Sequence, residues 1–94
     1  MIVANLLHER GLPFSYERPL FAPDGTFYLP DFTVQAGGES WFWEHWGRMD
    51  QERYRNHAET KRAWYERFLS GRLLETQESG ELSDEAAAVI DRLP

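Results

Sequence analysis

The sequence contains no cysteine. Disulfide scaffolding and thiolate metal sites go with it, and a reducing cytoplasm is the expected compartment. No apolar run approaches the roughly 20 residues that span a bilayer, so no membrane partner is expected. The opening segment is too short, and too uncharged at its start, for a signal peptide. Repeats and low-complexity tracts are missing, as are a glycine-rich phosphate loop and a serine-centred elbow. The histidines His8, His45 and His57 fit no common zinc spacing and read as structural or surface residues.

What the chain does hold is aromatic and acidic. Its 94 residues fit one domain, 1–94, with a small core. Four Trp, four Tyr and six Phe must supply much of the buried area. The net charge of −6 is unevenly spread. Residues 1–47 carry two basic and six acidic side chains, 48–72 carry seven and four, and 73–94 carry one and six. A basic middle segment inside an acidic chain suits either a phosphate-facing helix beside carboxylates or a solvated helix of mixed charge.

Hydrophobic periodicity sets the order of elements. Ile2, Val3, Leu6 and Leu7 share a helical face, and Gly11 is a stop signal. That face begins at the start of the chain, which gives the expectation of a piece of a larger protein. Residues 14–21 read as a strand with Phe14, Tyr16 and Leu20 on one side. Pro23-Asp24-Gly25 signals a tight turn, 26–35 a second strand and 40–46 a third. Asp50 is placed to cap a long helix ending near residue 69, before Ser70-Gly71. Residues 72–77 suit a fourth strand. Ser83 is placed to cap a last helix with the stripe Leu82, Ala86, Val89, Ile90 and Leu93. The expected architecture is α/β: helix, three strands, helix, strand, helix around a small mixed sheet.

Two acids stand inside the most apolar hairpin. With Gly37-Gly38 at its tip, cross-strand partners have numbers summing to 75, which sets Asp31 opposite Glu44 on one face. A slip of one residue would send them to opposite faces. Like charges held that close, among Phe42, Trp46, Leu29 and Phe27, destabilise a sheet unless offset. The offset is either a divalent cation, for which carboxylates are the natural ligands, or exposure of one acid at the sheet edge or its pairing with an arginine.

The long helix carries Tyr54, Ala58, Lys61, Tyr65 and Phe68 within an arc of about 80°. Lys61 therefore sits in the middle of the face expected to pack on the sheet. Either it meets an anion there, from the two acids or from a bound phosphate, or its stem covers the aromatics while its ammonium reaches water.

Pro30-Asp31 on one strand and Glu44 on the next resemble the PD-(D/E)XK nuclease superfamily, with its restriction-endonuclease-like core. More narrowly, YLPDF, WEHWG, Tyr54, Lys61 and the opening IVANLL…FSYERPL are similar to nuclease-like modules attached to superfamily 1 helicases and related DNA-processing ATPases. The resemblance covers nearly the whole chain. It implies a Mg²⁺-dependent DNA endonuclease, with Mn²⁺ as substitute metal. Asp31 and Glu44 would be metal ligands, joined by the His45 backbone carbonyl, with Lys61 and Tyr54 completing the catalytic group. Arg53, Arg55 and Arg62 would touch the DNA backbone. A helicase or ATPase is implied as partner or fusion, and a homo-oligomer is compatible with the resemblance.

The chain departs from the family pattern at two places. The superfamily's usual lysine position, two residues after the Glu, falls on Trp46, and Lys61 fits the branches in which that lysine has moved to the following helix. The acid of the first helix would precede Met1, while Glu17 matches the strand acid of the related modules. These departures keep a second expectation open, a catalytically inactive nuclease-like module that binds DNA or protein.

Overall fold

The computed structural model describes residues 2–94. The order is α1 (Ile2–Glu9), β1 (Phe14–Tyr16), β2 (Leu20–Phe21), β3 (Phe27–Tyr28), β4 (Phe32–Ala36), β5 (Glu39–Trp46), α2 (Glu52–Leu69), β6 (Leu73–Gln77) and α3 (Leu82–Asp91). A four-stranded sheet runs β1-β4-β5-β6, and β2 and β3 form a separate two-stranded sheet. The pairs β1–β4 and β4–β5 are antiparallel, whereas β5–β6 is parallel, with α2 as the crossover between them.

The α/β character and the mixed sheet agree with expectation, but two expected strands are each broken in two. The stretch 14–21 divides where Glu17 takes a positive φ of 43° and Pro19 offers no N–H. The stretch 26–35 divides at Pro30 for the same lack of a donor. The middle pieces, β2 and β3, fold on each other as a small hairpin around the Pro23-Asp24-Gly25 turn, and Asp24 accepts bonds from the Thr26 N–H at 3.0 Å and the Thr26 hydroxyl at 2.5 Å. Phe27 and Leu29 are thereby exposed, not packed around the two acids.

Both expected helix caps move. The N-cap of α2 is Gln51 rather than Asp50, and that of α3 is Glu81 rather than Ser83, which lies inside the helix. Neither new cap makes a side-chain bond to the helix N–H groups. The shifts are one residue at α2 and two at α3, where buried Leu82 opens the helix. A side-chain cap is worth about 1 kcal/mol, little against such burial.

The β4–β5 hairpin follows the expected register. Phe32 pairs with Trp43 and Ala36 with Glu39, leaving Gly37-Gly38 as a two-residue turn. Both glycines have positive φ, 61° and 78°, as a type I′ turn requires. A Cβ at Gly37 would also come within 2.6 Å of the Pro94 side chain.

Strand alternation then builds two cores on opposite faces of the sheet. On one, Phe32, Val34 and Trp43 pack with Val3 and Leu7 of α1 and Ala86 and Ile90 of α3. On the other, Phe42 packs with Trp64 and Tyr65 of α2 and with Ala22 beside the small hairpin. The Trp64 indole fastens that hairpin to α2 by donating to Thr26 Oγ1 at 2.8 Å. No helix among the described residues is long and apolar enough to cross a membrane.

Candidate functional site

The site lies where the β4–β5 ladder ends beneath α2. Its first component is Glu44, only 2% exposed and on the α2 face of β5. Lys61 Nζ donates to Glu44 Oε1 at 2.9 Å, and the Tyr65 hydroxyl donates to Oε2 at 2.8 Å. Lys61 and Tyr65 are four residues apart on α2, so both reach the sheet from one helical face. Burial pushes the Glu44 carboxyl above its ordinary value, Lys61 and Tyr65 pull it back, and nearby Asp31 adds to the rise. Burial pushes the Tyr65 phenol up as well, and Glu44 adds to it, so Tyr65 stays a neutral donor.

Asp31 follows Pro30 and precedes the first ladder pair, Phe32↔Trp43. Extending that register by one residue sets Asp31 opposite Glu44, as the sum of 75 requires. One residue further, Pro30 stands opposite His45. Pro30 has no N–H for the His45 carbonyl, so that carbonyl has no ladder donor. Asp31 Oδ2 takes the His45 N–H instead, at 2.7 Å. Proline before aspartate thus ends the ladder and turns the carboxylate into the last rung.

The ammonium of Lys61 is held between rings as well as on Glu44. It lies 5.3 Å from the centre of Tyr28 and 5.8 Å from that of Trp46. Trp46 itself is buried, its indole N–H donating to Glu75 Oε1 at 2.8 Å, and the Arg62 guanidinium lies 5.3 Å from its ring. Two residues after Glu44 this chain therefore has an aromatic wall beside the lysine that comes from α2.

The remaining sequence-selected residues are placed less centrally. The Tyr54 hydroxyl accepts the Gly47 N–H at 3.0 Å and closes the loop between β5 and α2. The His45 ring lies away from Glu44, with Nδ1 2.9 Å from Thr76 Oγ1 and Nε2 3.0 Å from Glu78 Oε2. Arg62 is tied to Glu75 and Glu59, and Arg55 donates to the Met49 carbonyl at 2.9 Å. Arg53 is exposed and makes no ion pair among the described residues. Glu17, whose N–H donates to the Asp31 carbonyl at 3.3 Å, joins Tyr16, Asp31, Phe32 and His45 around a depression of about 220 Å³. Tyr65 is the residue sequence reasoning left on the packing face without a role. Its spacing from Lys61 was the available signal.

No family model matches this chain, and no solved structure matches it. Over 92 residues it is 32% identical to the uncharacterized protein MJ1519 of Methanocaldococcus jannaschii. That alignment covers 94% of this chain and 8% of the archaeal protein, so the chain spans a small fraction of its relative's length.

As a metal site the donor set is partial. Asp31 and Glu44 supply hard carboxylate oxygens, and the His45 carbonyl, which Pro30 leaves without a ladder donor, supplies a third oxygen of the type Mg²⁺ takes. Among the described residues, however, no group of three or more His, Asp or Glu side chains is placed to hold a metal. Lys61 already neutralises Glu44. The chemistry of the donors fits Mg²⁺ with most of its coordination left to water and phosphate oxygens, the usual habit of that ion.

Proposed function

We propose that Asp31, Glu44 and Lys61 form the centre of a Mg²⁺-dependent DNA phosphodiesterase of the PD-(D/E)XK kind. The observation that carries this reading is the meeting of Lys61 and Glu44 next to the proline-ended strand bearing Asp31. The path of the chain supports it too. Antiparallel β1, β4 and β5 lead through α2 to parallel β6, an order compatible with a restriction-endonuclease-like core.

Bound Mg²⁺ would polarise the scissile phosphate and lower the pKa of a water nucleophile. Asp31, Glu44 and the His45 carbonyl are the groups that would hold it. The protein's own residues do the rest. Lys61 keeps one N–H on Glu44 and has two more to orient the attacking water or meet charge developing on phosphate oxygens. Tyr65 holds the second Glu44 oxygen and fixes the rotamer. Tyr54, in the first turn of α2, accepts the Gly47 N–H and keeps its own O–H to donate to a phosphate. Arg53, Arg55 and Arg62 offer backbone contacts without sequence readout. That a similar segment makes up 8% of a long archaeal protein supports a module joined to larger machinery, with a helicase or ATPase as the proposed partner.

A second reading has its own observation. Both Glu44 oxygens already have protein donors, which suits a nuclease-like module kept for binding DNA or protein. Incubation of plasmid and single-stranded DNA with Mg²⁺ or Mn²⁺ separates the two. Nicking that disappears in Asp31→Ala and Glu44→Ala supports the phosphodiesterase. Salt-dependent DNA binding without cleavage, the same in wild type and both variants, supports the binding module.

A further inference from the structure

The sheet has two edges, and they are unequal. The β1 edge is three residues long and stands between Pro13 and Pro19, a usual way to blunt an edge. The β6 edge has five residues, LLETQ, with no proline and no lysine. Its outward groups follow from the parallel ladder. Phe42 N–H donates to the Arg72 carbonyl and Glu78 N–H to the Trp46 carbonyl, which turns the backbone of Leu74 and Thr76 towards β5. The N–H and C=O groups of Leu73, Glu75 and Gln77 point the other way. Glu85 Oε1 takes the Gln77 N–H at 2.9 Å and closes that end. The N–H and C=O of Leu73 and Glu75 have no partner among the described residues.

Grooves flank this edge on both faces. On the α3 face, Trp41, Leu73, Leu74, Val89 and Leu93, together with Glu75 and Arg92, line a groove of about 290 Å³. On the α2 face, Glu59, Arg62, Ala63, Glu66 and Glu75 line one of about 480 Å³. The first sets five apolar side chains beside one carboxylate and one guanidinium, whose charges cancel. The second sets three carboxylates against one guanidinium. A strand laid along β6 would send alternate side chains into the two grooves.

We propose that the β6 edge is a docking site for an extended segment of a partner protein whose side chains alternate apolar and basic. The backbone of Leu73 and Glu75 supplies the pairing, the α3-face groove takes the apolar side chains, and the acidic α2-face groove takes the basic ones. The site does not depend on the chemistry at Glu44, which lies one strand further in.

The probe is a fluorescein-labelled heptapeptide alternating valine and lysine, followed by fluorescence anisotropy. Two further versions are N-methylated on one or the other alternate set of amides. The expected result is saturable binding that weakens at least tenfold in one N-methylated version and not in the other. The Leu73 and Glu75 amides should gain protection from hydrogen exchange. A valine–glutamate peptide, and the Glu59→Lys/Glu66→Lys protein with the original peptide, should each bind at least tenfold more weakly. Both substituted positions are exposed on α2, so the fold is retained. The proposal is overturned if no peptide binds, if both N-methylated versions bind like the parent, or if charge reversal has no effect. A dimer in sedimentation that buries the Leu73 and Glu75 amides without peptide would also overturn it, in favour of self-pairing.

Discussion

Lys61 of α2 and Glu44 of β5 form a 2.9 Å ion pair from which water is nearly excluded, with side chains 13% and 3% exposed. Two charges are brought out of water at the point where the helix crosses the sheet. Such a pair is seldom a net source of stability, since desolvation consumes most of the attraction. Breaking it from one side is another matter, because the charge left behind stays buried.

Lys61→Met should therefore destabilise the protein by about 3 kcal/mol, leaving Glu44 with Tyr65 as its main support. Adding Glu44→Gln to the same protein should recover a large part of that loss, since glutamine can still accept the Tyr65 hydroxyl. Urea unfolding of the two single variants and the double variant measures the coupling. Additive losses would mean that Lys61 stabilises through its stem alone. Where the phosphodiesterase reading holds, Lys61→Met also loses cleavage, and Glu44→Gln does not restore it.

The metal-free protein should show an inverted acid response at Glu44. Burial holds its folded-state pKa above the ordinary 4.5. The folded chain thus takes up this proton at a pH where the unfolded chain does not. The stability linked to protonation is fully present below 4.5 and is lost as pH rises through the folded value. As pH falls from 7 towards 4.5, wild type should gain stability relative to Glu44→Gln. A relative loss over that interval would show that Lys61 and Tyr65 outweigh burial.

The part of this site that the sequence carried is the part fixed by period. Gly37-Gly38 set the register, the register faced Asp31 with Glu44, and a helical arc placed Lys61 over them. Those are short-range rules, and each acts within one element or one turn. What escaped was decided between elements. Residues 14–21 and 26–35 look continuous by alternation, yet Pro19 and Pro30 cut them, and the freed pieces pair with each other. Tyr65 looks like packing until its hydroxyl is found on a buried carboxylate. Arg62 looks like a free surface charge until β6 brings Glu75 to it, and β6 is joined to β5 only through α2.

Trp46 offers a direct test of the proposed phosphodiesterase reading, in which the position two residues after Glu44 would otherwise hold a lysine. Trp46→Phe keeps a ring beside Lys61 and loses the indole bond to Glu75, at a cost of about 1 kcal/mol. Trp46→Lys removes a large buried aromatic and puts a second ammonium into the space near Lys61. A loss of at least about 3 kcal/mol is expected and, where the phosphodiesterase reading holds, no gain in cleavage. Thermal and urea unfolding give the two costs, and plasmid nicking gives the activity. A stable and more active Trp46→Lys protein would show that the α2 lysine had not taken over the role.

Asp31 combines a structural bond and a proposed metal bond in one carboxylate, and a single substitution separates them. Asp31→Asn keeps an oxygen to accept the His45 N–H, so the ladder end should survive with a stability change within about 1 kcal/mol. The same change removes the negative charge that a divalent cation needs. At a Mg²⁺ concentration ten times its Kd, a preformed site stabilises wild type by roughly 1.4 kcal/mol. In a chain of this size that is a rise in Tm on the order of 5–10 °C. Wild type should show the rise in Mg²⁺ and Mn²⁺, and Asp31→Asn should not. Calcium, which tolerates looser oxygen cages, serves as the comparison ion. Equal rises in both proteins would move the metal away from Asp31 and leave that carboxylate as the strand-ending acceptor for His45.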